Sequence, residues 1–480
     1  MSRAVRFWLT LSAVAVVLAL VLALLASRPA ESVTPVPPAE QTWGTAGIGD
    51  PDFPDAGGGG YDVQNYDVSV RVDGTRLTGR TTITAIATQN LDRFHLDLAL
   101  GASAVSVNGA SATLQQTGDD LGVLVPRTDP ATPAIMAGAT FTATVDYAGS
   151  PLDLAIRPPS AYSSGDELVI AGEPTSATLW YPANDHPRDA ATMRFSVNVP
   201  TNVEAICAGR LISHTADPAA TGRTRWVWLV DAPTVTYATF LGVGQFRLEQ
   251  GTAKGRPFVY AVSERLPKAD QNAALAWLRG TPAAVEKLER YLGPYPFSGI
   301  GGFVADVRFY WGGLEVAMRP VYNKRGVGSE SLLFHELAHM WLGDTVTLTE
   351  WNDIFNNEAL ASYAAWLTAD DPAGNFSVVY RGMAEQQEFW APSLSNPGAD
   401  HLFERVYDRG PTAVQAVRVR MGDEAFFSML KAWAQQSGSR SLEQFRQHAD
   451  AATPEDLTGF FTAWLDSTTR PEATKDNGVA

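Results

Sequence analysis

The sequence predicts an α+β chain of several parts: an N-terminal antiparallel, sandwich-like β domain followed by a mostly helical domain. Between Tyr61 and about Gln250, apolar and polar residues alternate in short runs (YDVSVRV, RTTITAIAT, FHLDLAL, RFSVNVP, TRWVWLV) broken by Gly, Asp, Asn and Pro. That is the period-two signature of half-buried strands. After about Lys254 the spacing becomes helical, in NAALAWLRGTPAAVEKLERYL, SESLLFHELAHMWL, EALASYAAWLTA, PTAVQAVRVRM and DEAFFSMLKAWAQQ, with one strand-rich patch, GGFVADVRFY, between the first two. Composition agrees: 480 residues with 45% hydrophobic and 18% charged side chains suit about two to four folded domains and exclude wholesale disorder. No repeat of 20–50 residues points to a solenoid.

Taken in order, residues 1–26 read as a targeting segment rather than fold. Arg3 and Arg6 precede an uncharged run of 20 residues, Phe7 to Ala26. As a helix this run would span about 30 Å, the thickness of a bilayer core. The upstream basic residues place the rest of the chain outside the cytoplasm. The run exceeds the apolar region of a typical cleaved signal, and Leu24 is a poor residue three positions before a cut at Ala26. An uncleaved anchor is therefore favoured, with a cleaved signal peptide and secretion as the alternative. Residues 27–47 are rich in Pro, Ala and Thr without apolar periodicity, and read as a semi-extended spacer or an unstructured tail. The β domain is assigned to 48–250 and the helical domain to 251–480.

The formal charge of −16 excludes nucleic-acid binding, which needs clustered Lys and Arg. The lone cysteine, Cys207, excludes a disulfide framework and a cysteine-rich zinc site; its strand-like surroundings make it a small core residue. No G-x-S-x-G elbow offers a serine nucleophile. No protein partner is inferable.

The chemistry concentrates in HELAH. His335 and His339 are four residues apart, hence one turn apart on one helix face, where two imidazoles can ligate one zinc ion with Glu336 beside it as a base. A hydrolytic zinc needs a third protein ligand and one position for water. Glu358 supplies the ligand after 18 intervening residues. That gap suits a helix ending near Gly343, a turn through 344–350, and entry into the next apolar helix.

The stretch HELAHMWLGDTVT, continued by NEA around Glu358, resembles the gluzincin peptidases of the aminopeptidase N and leukotriene-hydrolase family. So do GPYPF (293–297), GGLEV (312–316), VYDRG (406–410) and EPTSATLWYPANDHPRDAATMRF (173–195). GGLEV is similar to the family's Gly-x-Met-Glu-Asn exopeptidase motif, and VYDRG to its Tyr-Glu-Lys-Gly segment. The resemblance implies a thermolysin-like zinc peptidase domain after the β domain, with one zinc per chain on His335, His339 and Glu358. It implies Glu336 as base and Tyr407 as hydrogen-bond donor to the tetrahedral intermediate. It further implies that Gly312, Gly313 and Glu315 bind substrate, with Glu315 holding the cationic α-amine, and that Glu173 contributes to the same pocket. Three positions depart from the family: Val316 for Asn, Phe355-Asn356-Asn357-Glu358-Ala359 for Trp-Leu-Asn-Glu-Gly, and Ala190 for Lys. They bear on specificity and turnover rather than on the reaction. The 73 residues after Tyr407 suffice to finish a helical catalytic domain, so two domains and an open cleft are expected.

The expected function is zinc-dependent release of N-terminal residues from peptides outside the cytoplasm. A zinc endopeptidase with the same core, or a membrane-tethered, non-catalytic peptide-binding protein, are the alternatives. Of the other histidines, His95, His214 and His448 are expected to be structural or exposed. His186 is expected in a turn or interdomain contact, and His401 is a weak candidate for the cleft.

Overall fold

Alternation along Tyr61–Asp73 buries Tyr66, Val68, Val70 and Val72 and exposes the residues between them, which makes this strand the middle of a broad sheet. A computed structural model describes residues 42–154, 159–369 and 371–479. In it the sheet has eight strands in the order Arg210–Ala216, Arg223–Thr234, Ala191–Pro200, Tyr61–Asp73, Arg76–Ala87, Thr140–Gly149, Gly101–Val107 and Ala110–Ser111. Smaller sheets of four and three strands complete the β-rich part. One pairing departs from the antiparallel expectation. Tyr61–Asp73 and Ala191–Pro200 run parallel, Val68 opposite Phe195, because the chain between them makes a long excursion before returning to the sheet.

A five-stranded sheet then carries the site: Phe246–Ala253, Arg256–Ser263, Ile300–Ala305, Val321–Asn323 and, at its edge, Gly313–Leu314. The change of texture expected near residue 250 falls inside its first strand. The helical stretch read across 272–292 is two helices, Lys268–Leu278 and Thr281–Leu292. Pro282 lacks the N–H to continue the first helix and suits the start of the second, after Gly280. Helices Glu330–Ala338, Leu360–Thr368, Arg409–Met421 and Asp423–Ala434 lie where the apolar spacing places them.

The first helix of the zinc motif ends at Ala338, short of Gly343. His339 Nδ1 bonds Leu342 O at 2.8 Å and Thr345 Oγ1 bonds the carbonyls of Met340 and Trp341, so side chains curl the chain out of the helix. The expected turn over 344–350 contains a short strand, Val346–Leu348, paired in parallel with Gly438–Arg440. The targeting segment 1–26 lies outside the described residues, as does most of the spacer. The spacer's end is ordered against the β domain, where Trp43 bridges Arg93. Among the described residues no helix is long and apolar enough to cross a membrane.

Candidate active site

The helix Glu330–Ala338 starts on Ser329, whose side chain caps the N–H of Leu332, and packs against Leu360–Thr368. His335 lies in its last turn and His339 just past its end. Glu358 comes from a π-helical turn, Phe355–Ala359, that opens directly into Leu360–Thr368; such turns favour functional positions.

Three atoms converge. His335 Nε2 and His339 Nε2 are 3.2 Å apart, and Glu358 Oε2 stands 3.2 Å from the first and 3.3 Å from the second. Tetrahedral zinc with ligands near 2.1 Å requires ligand edges of about 3.4 Å. The rings are also held in the required sense. Leu342 O accepts from His339 Nδ1–H, and Ser362 Oγ lies 3.3 Å from His335 Nδ1, which turns both Nε2 lone pairs inward. Two lone pairs and a carboxylate oxygen aimed at one point demand positive charge, so the residues fit zinc. The electrostatics agree: burial pushes the Glu358 pKa up, but His339 and His335 overcome it and hold it well below the carboxylate range. Burial lowers His339, yet Glu315 and Glu358 raise it well above an ordinary histidine. Zinc displaces the proton that such a cluster otherwise retains.

Glu336, the residue between the two histidines' turns, is buried beside His339 and Glu315. Burial raises its pKa well above normal, against the pull of His339. Gly313 on the sheet edge is packed onto it: a Cβ there would sit 2.2 Å from Glu336 Oε1. Gly312 has no such constraint, its nearest neighbour being Leu332 at 3.5 Å.

Glu315 and Glu173 come from separate parts of the chain to the same cavity, of about 630 Å³, which His335, Glu336, Glu358 and Tyr407 also line. Glu173, Glu315 and Glu358 each bring a carboxylate oxygen within 4.8 Å of the others. Oε1 of Glu173 and of Glu315 is buried with no hydrogen-bond partner among the described residues. Burial first, then neighbouring carboxylates, raise Glu173 well above its ordinary value; burial also raises Glu315. Tyr407 has its ring 5.8 Å from that of His335. The residue is 39% exposed, but its hydroxyl end is buried, and burial with Glu358 and Glu173 nearby keeps the phenol protonated.

Two neighbours escaped the sequence reading. Ser362 follows Glu358 by one helical turn, a spacing that places both on one face and was open to inspection. Asp344 is fully buried, its two oxygens without hydrogen-bond partners among the described residues and its pKa pushed well above normal by burial and Glu315. No local pattern announces it. His401 pairs with Glu404 at the surface and does not line the cavity. Val316 is fully buried and points no polar group at it.

Comparison with known proteins agrees with this geometry. A family model described as the Peptidase family M1 domain matches residues 322–464. The chain is 27% identical over 326 residues to aminopeptidase N of Acetobacter pasteurianus, covering 62% of this chain and 86% of that protein. It is 30% identical over 166 residues to aminopeptidase N of Streptomyces lividans, of which it covers only 19%. A crystal structure of a two-domain M1 zinc metallopeptidase mutant bound to L-tryptophan superposes with a TM-score of 0.79 at 26% identity, covering 89% of this chain and all of that one. The Deinococcus radiodurans M1 zinc metallopeptidase mutant bound to a Tyr-Ser-Ala substrate gives 0.78 at 27% identity, again over 89% of this chain. With a ligand set shaped for zinc, and a fold matched across both its β-rich and helical parts, the chain carries an M1 peptidase domain over residues 322–464 and is similar to the two-domain M1 zinc metallopeptidases and to aminopeptidase N.

Proposed function

We propose that this zinc aminopeptidase removes N-terminal residues from peptides, one zinc ion serving each chain, and that it works outside the cytoplasm. The observation that carries the reading is the pair of buried carboxylates, Glu173 and Glu315, each with one oxygen that has no hydrogen-bond partner among the described residues, in the same cavity as the His335–His339–Glu358 cluster. His335, His339 and Glu358 would hold the metal, whose chemistry is Lewis acidity: it acidifies water to a pKa of about 7 and polarises a carbonyl.

The chain's own groups do the rest. Glu336 accepts the proton of the attacking water and returns it to the leaving amine; its burial beside His339 favours a carboxyl that can hold a proton between the two steps. Tyr407 donates its hydroxyl hydrogen to the oxygen that gains charge. Glu315 and Glu173 hold the α-ammonium group, whose pKa near 8 keeps it cationic at neutral pH, and so set the cut after one residue. The peptide-bound Deinococcus structure supports a peptide substrate.

The decisive experiment replaces Glu336 by Gln. Zinc stays bound, and hydrolysis of an aminoacyl reporter falls to background; undiminished turnover removes Glu336 as base. An N-acetylated peptide separates an aminopeptidase, which spares it, from an endopeptidase, which cuts it. Anchoring by residues 1–26 and an extracytoplasmic catalytic part rest on the basic flank and apolar run, and fractionation of cells with external protease treatment tests them.

A further inference from the structure

The helix that carries Glu358 is capped partly by its own residues, Glu350 and Asp353, and partly from the β domain. It starts at Trp351, in a 3-10 turn (Trp351–Ile354) that runs without a break through the π-helical turn into Leu360–Thr368. A helix start leaves N–H groups without intrahelical acceptors. Here Asp353 Oδ2 takes the N–H of Glu350 at 3.0 Å, but the N–H of Trp351 goes to Asp50, 301 residues earlier, at 2.7 Å. Asp50 is wholly buried. The same oxygen, Oδ2, accepts from His186 Nε2 at 3.0 Å, while Oδ1 accepts the N–H groups of Asp52 and Phe53. The His186 tautomer is thereby fixed: Nδ1 accepts the Arg188 N–H at 3.1 Å, so Nε2 carries the hydrogen. Arg188 ties the layers again, donating to Thr349 O at 2.8 Å and Ile48 O at 2.9 Å. Asn352 bonds Asp52, and Phe53, His186 and Tyr237 pack around the Trp351 indole at 5.7, 6.5 and 5.4 Å.

We propose that Asp50 is a positioning residue for the third metal ligand: residues 48–53 strap the start of the Glu358 helix to His186 and Arg188 of the β domain and fix where Glu358 Oε2 stands. Three physical reasons support it. A carboxylate at a helix N-terminus meets the positive end of the helix dipole. Its acceptor role satisfies the backbone N–H of Trp351, which would otherwise be a buried orphan donor. The contact is buried and packed by rings, and a shift there passes along seven residues of continuous helix to the ligand. This role rests on the zinc reading, and the test separates the two.

The test measures zinc affinity of the full-length chain by competition with a chromophoric chelator, alongside kcat, KM and the unfolding temperature of the metal-free protein. Asp50→Ala should raise the zinc dissociation constant about 10-fold, the low end of the cost of losing a partner bonded directly to a ligand, because Asp50 acts through the helix start, with KM for an unblocked peptide within twofold. Asp50→Asn keeps one oxygen for Trp351 and His186 and loses the charge and the Oδ1 bonds, so it folds and weakens zinc severalfold. If Asp50→Ala does not fold, Asp50→Asn decides. Affinity within twofold of the unaltered chain in the folded variants, whatever their unfolding temperature, overturns the positioning role and leaves Asp50 a structural contact. An unaltered chain that binds no zinc overturns the metallopeptidase reading instead.

Discussion

Gly313 offers a sharp test of where Glu336 must stand. A methyl group added there would lie 2.2 Å from Glu336 Oε1, 2.5 Å from its Cδ and 2.7 Å from its Cγ, whereas ordinary contact begins at 3.4 Å. The carboxyl must therefore retreat by about 1.2 Å. All three atoms belong to the Glu336 side chain, which borders the cavity and can give way into it, so the backbone and the zinc ligands stay put and stability changes little. A displacement of about 1 Å at a catalytic group costs on the order of 100-fold in rate, or about 2.7 kcal/mol of barrier. Gly313→Ala is thus expected to lower kcat about 100-fold on an aminoacyl reporter, with zinc content and unfolding temperature near those of the unaltered chain. Gly312→Ala is the built-in control, because its methyl group meets only Leu332 at an ordinary 3.5 Å. A Gly313→Ala protein that keeps zinc and turns over within threefold of the unaltered chain refutes the placement of the base. Equal losses in both variants would trace the effect to the sheet edge instead.

Three further outcomes are expected. Ser362→Ala removes the group beside His335 Nδ1 and should weaken zinc about 10-fold in a chelator competition, leaving the unfolding temperature of the metal-free chain near normal. Glu315→Gln should raise KM for unblocked peptides far more than it lowers kcat; a KM that stays put removes Glu315 from the amine site. The stability of the β-rich part should fall as pH rises from about 4 to about 7. Burial raises Asp189 to about 7 and Asp185 to about 6, above the unfolded value of 3.8. The folded state thus binds these protons more tightly, and their stabilisation, full below 3.8, is lost as pH passes through the raised values. The slope approaches about 1.4 kcal/mol per pH unit for each group across its window. Urea unfolding at several pH values reads it, and Asp189→Asn should flatten the upper part of the curve.

What the sequence revealed and what it hid divide along the range of the interactions. The clustering of His335, His339 and Glu358 was readable because helix geometry converts a four-residue spacing into a shared face, and the Glu358 gap matches one return of the chain. Strand faces were readable because alternation records burial. Alternation does not name the neighbour, so the parallel pairing of Tyr61–Asp73 with Ala191–Pro200 was out of reach. The end of the HELAH helix was misjudged because Met340, Trp341 and Leu342 continue an apolar helical pattern, while the side-chain bond from His339 to Leu342 O ends it. Asp50 was invisible for a stronger reason: the partners that make it a strap, His186 and Trp351, lie 136 and 301 residues away, and its local bonds to Asp52 and Phe53 do not mark it as buried.

The choice between removing terminal residues and cutting internal bonds comes down to charge. Glu173, Glu315, Glu336, Glu358 and Asp344 crowd one buried region, and an ion of charge +2 on the histidine–glutamate cluster offsets only part of that negative charge. Glu173 and Glu315 keep oxygens without donors, and burying an unpaired carboxylate is costly enough that both carboxyls are pushed toward the protonated form. An internal stretch of peptide brings only neutral amide groups to that end of the cavity and leaves the cost standing. A free N-terminus brings a cation with three donors, which lets both carboxyls ionise and pairs them at once. The binding energy released there is available only to a substrate whose first residue ends at Glu173 and Glu315, so Val316 in place of a polar residue does not by itself make the enzyme an endopeptidase.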